Sequence, residues 1–367
     1  MVSGIQIQEG PTKLIVPEDH SAGGPGKISD SVFFNEQMAF NRDVSVMFLR
    51  AFDKEMTVAD AMTATGSRAV RIANEVPKTK VTANDISSYA IPYIEENIRL
   101  NSLDNCVASN RNLHSLLAEN VYDYIDIDPF GSPMPFLHSA IIGCRRNGYL
   151  AVTATDTAPL AGAHRDKCER RYQVRPLRGP MCHEAGLRIL IGTIAREAAK
   201  FDKGIEPMLS FSSDHYFRTF VHMRDGAGRA DDSLKQLVYL AYNPNTLERS
   251  FSSEPDKEHK YGPFWGGRLF DRDHLSKMNA DDTAAERRCS KMLDLWRNEI
   301  DDIPLLYEIS EISSHLKMTT PPFDAFIERM NQYGRTSKTH ISPTAFKTEL
   351  SLNEILSVFK EVSGEMK

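Results

Sequence analysis

The chain has 367 residues, 41% hydrophobic and 26% charged, the composition of an ordinary globular protein with room for two domains. No run of about 18 apolar residues occurs, so no transmembrane helix is expected, and the N-terminus lacks the basic-then-apolar order of a secretion signal. A net charge of −6 gives no global pull towards nucleic acid, so a polyanion must meet a local basic patch. Five scattered cysteines without a C-x-x-C pair form neither a disulfide framework nor a common zinc site, and fit a reducing cytoplasm.

Residues 20–27 (HSAGGPGK) read as a turn or loop. Residues 30–52 carry an apolar period that predicts a helix or helix pair. Strands are predicted at 57–61, 80–85, 107–109, 122–128 and 148–156. They alternate with helices at 66–76, 87–101 (Pro92 in its first turns) and 134–146. That alternation predicts a parallel sheet covered on both faces. Residues 206–217 and 219–225 predict a strand pair, and 237–243 a further strand. Near residue 270 the texture changes. Three helical patterns, at 285–300, 305–316 and 321–332, precede strand and turn signals over 336–350. Three helices followed by a basic β-wing form a winged-helix-like pattern. The expected division is 1–268 and 269–367.

The first strand runs through VADAMTATGSR (58–68) into a loop and a helix, the way α/β folds hold a nucleotide-like ligand at the sheet's carboxyl edge. Its single Gly66 falls short of a G-x-G-x-x-G fingerprint, and a plain β–α turn fits as well. Asp85 ends the second strand about 20 residues past Gly66, the usual offset for an acid that binds ribose hydroxyls. An N-cap would also suit it. The fourth strand, YDYIDID, ends in Asp128-Pro129-Phe130-Gly131. A carboxylate and a proline carbonyl are acceptors for an NH₂ group, and Phe130 is a face on which a flat base can stack. An Asp-Pro turn also ends strands, yet Asp126 and Asp128 crowd one face of an interior strand, where charge is costly unless used. Upstream, Arg42 and Arg68 are candidate forks for a small carboxylate, though taken alone Arg42 reads as a surface ion pair and Phe33 as core packing. Residues 164–178 hold Arg165, Lys167, Arg170, Arg171, Arg175 and Arg178 against two acids. Such a basic loop just past the fifth strand suits a phosphate backbone, the plainer alternative being a solvated face. Cys168 and Cys182-His183-Glu184 lack a convincing ligand spacing, and buried free cysteine is the better reading.

The motifs NRD (41–43), DAMTATGSR (60–68), NDIS (84–87), DIDPFGSP (126–133), VTATDTAPLAGAH (152–164), PLRGPMCHEAGLRIL (176–190), DHYFR (214–218), YGPFWGG (261–267) and THISPTAFKT (339–348) together resemble the tRNA guanine-26 N2-dimethyltransferase family in its archaeal form. The likeness covers nearly the whole chain. It implies a Rossmann-like class I S-adenosylmethionine-dependent methyltransferase domain followed by a smaller C-terminal α+β domain that binds tRNA. The cofactor set it implies is Arg42, Asp60, Gly66, Arg68, Asp85, Ile86, Asn112 and Leu113. The last two stand where relatives often have Asp-Ala at the adenine. Asp128, with Pro129 and Phe130, is implied to grip the target amine, and Phe33 to fold over the base with Phe130. Arg335 and Lys338, with His340 and Lys347, extend the tRNA-binding basic set. Some relatives carry cysteines before YGPFW that suggest zinc. Residues 241–260 have none here, so no metal is expected. The expected setting is cytoplasmic and monomeric, with tRNA rather than DNA or a membrane as partner. The rivals are an adenine-N6 methyltransferase using the same Asp-Pro-aromatic logic and a catalytically silent RNA-binding module.

Overall fold

The structure, a computed structural model, describes residues 3–21 and 32–364. Most of the turn expected at 20–27 therefore lies outside the described residues. Two compact units form. One comprises Met1–Ala154, Phe220–Asp225 and Arg272–Asp294, the other Thr155–Thr219, Gly226–Asp271 and Leu295–Lys367. Among the described residues no helix is long and apolar enough to cross a membrane.

The first unit opens on an antiparallel hairpin, β1 (Ile5–Glu9) and β2 (Thr12–Val16), which the sequence pattern did not signal. A 3-10 turn at Glu36–Met38 leads into α1 (Ala39–Arg50). There follow β3 (Met56–Asp60), α2 (Ser67–Glu75), β4 (Thr79–Asn84), α3 (Ile91–Leu100), β5 (Cys106–Ser109), α4 (Leu113–Glu119), β6 (Tyr122–Ile127), α5 (Met134–Gly143) and β7 (Cys144–Ala154). The chain continues through α6 (Thr157–Leu160), α7 (Arg165–Tyr172), α8 (Cys182–Ala199), β8 (Lys203–Ser213) and β9 (Tyr216–Asp225). The large sheet has the order β5-β4-β3-β6-β7-β9-β8. Pairings among β5, β4, β3, β6 and β7 are parallel. From β3 the chain fills one side through β4 and β5, then returns to lay β6 on the other. The switch point lies between β3 and β6, and at the carboxyl ends of such strands a doubly wound sheet binds its ligand. Residues 58–60 and 124–127 are buried without alternation, as central parallel strands are.

Three expected boundaries move. Residues 144–146 belong to β7, not to the helix before it. Gly143 abuts Leu117 so closely that a Cβ would sit 2.9 Å from that side chain, and Cys144 already pairs with Tyr122. The expected helix from 87 begins at Ile91 with Pro92 in its first turn, where the missing N–H costs nothing. The strand-pair turn moves to 214–215, with Asp214 at φ +47°. The 18-residue α8 escaped notice because it is buried on most of its circumference and shows little amphipathic period.

In the second unit, Leu237–Tyr242 forms the centre of a three-stranded antiparallel sheet, between Arg249–Ser252 and Tyr261–Trp265. Further on, Tyr307–Glu308, Thr336–Lys338 and Ala345–Thr348 make a small antiparallel sheet with helices Ile309–Leu316 and Phe323–Met330. A last helix, Leu352–Gly364, was not expected; its Ile355, Val358, Phe359 and Val362 join Phe326, Met330 and Phe346 in one core.

A buried charge cluster corrects one expectation. Lys347 is fully buried, 2.8 Å from Glu184 and 3.2 Å from Glu299. His340 sits 2.6 Å from Glu299. These two residues are interior partners of glutamates, not parts of a tRNA-facing patch. Burial alone would raise the Glu299 carboxyl, but His340 and Lys347 outweigh it and hold it at about 2. Its stabilisation is complete above the ordinary glutamate range and is lost as pH falls through about 2. Lys347→Met should cost about 3–5 kcal/mol, because it strips a counter-ion from two buried carboxylates. Urea denaturation near neutral pH checks this, with an unchanged midpoint as the contrary result.

Candidate active site at the strand ends

Asp60 ends β3, and the loop after it is tightly held. Ala64 (φ +49°) and Gly66 (φ +81°) both take left-handed backbone. At Gly66 a Cβ would stand 3.2–3.3 Å from Ile94, so glycine also permits the close approach of α2 and α3. Asp85 organises this loop. One carboxylate oxygen accepts the Ala64 N–H and the other the Ser87 N–H, each at 2.8 Å. Each oxygen retains a second lone pair for a ribose hydroxyl. Ile86, beside it, is 70% exposed and offers an apolar surface at the same edge. Asn112 caps α4, its oxygen accepting the His114 N–H at 2.9 Å, and the Leu113 side chain is buried. Of this pair, only Asn112 presents a side chain to solvent.

At the switch point Arg68 reaches back from the first turn of α2 among three carboxylates. Its Nη1 donates to Asp126 at 3.0 Å and lies 3.9 Å from Asp60. Its Nη2 donates to Asn41 Oδ1 at 2.8 Å and also to Asp128. Register explains the crowding: Asp60 pairs directly with Asp126 across β3 and β6. Burial pushes the Asp60 carboxyl up to about 6, against the pull of Arg68. Burial would also lower Arg68, but Asp126, Asp128 and Asp60 overcome it and hold the guanidinium well above its ordinary value. Three buried atoms here lack a hydrogen-bond partner among the described residues: Asn41 Nδ2, Asp60 Oδ1 and Arg68 Nε.

Phe130 is 56% exposed, and Phe33 meets it edge to face with ring centroids 4.7 Å apart. The two rings named from sequence are thus brought together. Arg42 is used differently from the free fork expected. It is 6% exposed and closes its guanidinium on Glu9 (2.8 and 2.5 Å), with the Asn35 carbonyl at 3.0 Å. The unforeseen partner came with the unforeseen hairpin. Glu9 also meets Arg71, which pairs with Asp43 at 2.7 Å.

The stretch 164–178, expected as a loop, is largely helix α7. Arg165 pairs with Glu169 and Arg171 with Asp156. Lys167, Arg170 and Arg178 have no carboxylate partner among the described residues, and Lys167 and Arg170 line an open depression with His164 and Arg165. Arg175 is half-buried, its guanidinium over the Tyr261 ring. Arg335 and Lys338 are surface cations offset by neighbours, Arg335 by Asp302 and Glu349 and Lys338 by Asp324. Cys106, Cys144, Cys168 and Cys289 are buried thiols, and Cys182 is partly so. No group of three or more metal-ligating side chains stands together among the described residues.

A doubly wound sheet with its acids and loop at the switch point defines the class: a Rossmann-like methyltransferase built for S-adenosylmethionine. Residues 10–360 match the profile of the N2,N2-dimethylguanosine tRNA methyltransferase family, and the chain belongs to that family. It is 38% identical to the tRNA (guanine(26)-N(2))-dimethyltransferase of Thermococcus kodakarensis, over 98% of this chain and 99% of the relative. Identity to the protein of the same description from Pyrococcus horikoshii is also 38%, over 98% of each. The solved complex of Trm1 from Pyrococcus horikoshii with S-adenosyl-L-methionine superposes with a TM-score of 0.89 at 37% identity, covering 96% of this chain and 99% of that one.

Two outcomes follow from this geometry. Asp85→Ala should weaken S-adenosylmethionine binding by about 1–3 kcal/mol, since the loop amides at Ala64 and Ser87 lose the acceptor that shapes the cofactor loop. Titration calorimetry giving an unchanged affinity would remove Asp85 from the ribose. Sequence alone suggests that Asp128→Asn leaves stability unchanged or higher, by treating the carboxylate as unpaired. Because Asp128 pairs with Arg68, the substitution should instead lower stability, by about 1–3 kcal/mol. Thermal unfolding of the two proteins compares the signs.

Proposed function

We propose that the chain transfers methyl groups from S-adenosylmethionine to the exocyclic N2 of guanine 26 in tRNA, giving N2-methyl- and N2,N2-dimethylguanosine. The observation that carries this reading is the Asp128-Pro129-Phe130 strand end at the switch point, in a chain whose near-full-length relatives are named for that reaction. The site's chemistry fits the cofactor. Asn41, Asp60 and Arg68 lie buried behind the strand ends and set their charge from within. Three carboxylates around one guanidinium leave an excess of negative charge for a cationic ligand. Asp85 is the proposed ribose ligand, Ile86 the apolar cover, and Gly66 the close approach of the loop. Arg42 acts behind them, through Glu9.

When bound, S-adenosylmethionine supplies an electrophilic methyl group on sulfur. The protein's task is to make a poor nucleophile attack it. The guanine N2 lone pair is delocalised into the ring. Asp128 accepts from Arg68 through Oδ2, and its Oδ1 has no hydrogen bond among the described residues. In this reading that oxygen accepts from the amine, with the Pro129 carbonyl as a second acceptor. Holding both protons lets the nitrogen pyramidalise, and the carboxylate stabilises the positive charge that grows there. The exposed Phe130 ring, propped by Phe33, is the stacking face. The base lies within folded RNA and must be flipped to reach it. Lys167, Arg170 and Arg178, with Arg165, Arg171 and Arg175 around them, are proposed to hold the phosphate backbone. Arg335 and Lys338 add a weaker contact because acids offset them. The proposed setting is cytoplasmic, with a monomer acting on tRNA.

Mass spectrometry of nucleosides from tRNA incubated with protein and cofactor should show N2-methyl- and N2,N2-dimethylguanosine. N6-methyladenosine instead would make the chain an adenine enzyme, and no methylated product would make it a binding module. Asp128→Asn should slow single-turnover transfer by about 10²–10⁴-fold at saturating tRNA and cofactor. A rate within a few-fold of the parent would reduce Asp128 to a turn residue. Lys167→Glu with Arg170→Glu should weaken tRNA binding and flatten its salt dependence, and an unaltered salt series would take that surface out of the interface.

A further inference from the structure

Asp126 has no place in the reaction as described above, yet it is fully buried in the centre of the sheet. Side chains alternate along a strand, so Tyr124, Asp126 and Asp128 share one face and lead from the interior to the site. The bonds run the same way. The Tyr124 hydroxyl donates to Asp126 Oδ2 at 2.7 Å. Asp126 Oδ1 accepts from Arg68 Nη1 at 3.0 Å, and Arg68 Nη2 reaches Asp128 Oδ2. Arg68 is 7% exposed and also donates to Asn41, so its guanidinium has little freedom to turn.

Charge gives the string a purpose. Asp128 is useful to a developing ammonium only if its negative charge is not cancelled. A lone guanidinium at this distance would cancel most of it, because the pair sits in a low-dielectric interior. Asp126 bonds the same guanidinium from the other side. The Asp126–Arg68–Asp128 group as a whole keeps a net negative charge while Asp128 stays fixed in direction. We propose that Asp126 is a positioning residue for methyl transfer, acting through Arg68 so that Asp128 faces the target amine with its charge intact. This rests on the N2 reading above. Asp126 itself cannot touch the base, since it has no exposed surface.

The rival account is that Asp126 only neutralises a buried arginine. Both accounts allow Asp126→Asn to lower stability, so the readout is kinetic. Single-turnover transfer is measured on the full chain at saturating tRNA and S-adenosylmethionine for the parent, Asp126→Asn, Asp128→Asn and the double variant. Asp126→Asn is isosteric and can still bond Arg68 and Tyr124. It should slow transfer by about 10–100-fold while leaving KM for tRNA within about two-fold. In the Asp128→Asn background it should add no more than about two-fold, because its effect passes through the charge already removed. Losses that multiply in the double variant would overturn the inference, as would an Asp126→Asn rate equal to the parent's. Tyr124→Phe serves if Asp126→Asn does not fold. It keeps every charge and removes one bond, and should slow transfer by about 3–10-fold with the same non-additivity. If it multiplies with Asp128→Asn or has no effect, the inference fails. Failure of the N2 reading would be seen separately, as absence of methylated guanosine with the parent protein.

Discussion

Arg68 is the hinge of the site's electrostatics. It lies among Asp60, Asp126 and Asp128, which come from two adjacent strands whose register places Asp60 directly beside Asp126. Those carboxylates would be prohibitively costly in a sheet interior without a cation between them, and the cation equally so without them. The need for mutual compensation fixes the first turn of α2 against the carboxyl ends of β3 and β6. It also explains why the loop of residues 61–66 must be short and partly left-handed: α2 has to start at once for Arg68 to reach back.

A second set of buried charges supports this from the next turn along the same face of α2. Arg71, one helical turn beyond Arg68, meets Glu9, Asp43 and Glu75. Glu9 in turn holds Arg42, whose neighbour Asn41 touches Arg68. Burial would raise the Glu9 carboxyl, but Arg42 and Arg71 outweigh it and hold it low. The N-terminal hairpin, remote in sequence from the Asp126–Asp128 strand end, is therefore part of what orients the groups around Arg68. Buried networks of this kind specify one arrangement more than they stabilise it.

From β3 to β7 the alternating strands and helices were legible, the short α4 apart, because each has a strong period and Gly or Asp punctuation. Asp128 was legible because charge in a central strand has no cheap structural excuse, Asp85 from its offset past Gly66, and Asp60 only through the family resemblance. What stayed hidden were partners. Nothing in IQIQE tells that Glu9 folds back onto Arg42, and nothing in SPTAFKT tells that Lys347 is buried between two glutamates. Basic residues count as surface in a sequence, and only tertiary contact shows which are counter-ions. The α8 helix was missed for a related reason: a helix buried nearly all round has no polar face to announce it.

The first unit is closed by segments that come late in the chain, Phe220–Asp225 and Arg272–Asp294. The backbone N–H groups of Ala284 and Ala285 donate to the two oxygens of the buried Asp43, at 3.0 and 2.8 Å, and Asp43 is a counter-ion of Arg71. A nascent chain leaving the ribosome thus makes its strand-end acids long before it makes the groups that complete their scaffold. The unit that carries them cannot finish folding until synthesis has passed Asp294. For the same reason a fragment cut after residue 268 is not a smaller enzyme but an unfinished one, with Asp43 left to Arg71 alone and stripped of the two amides that complete its bonding.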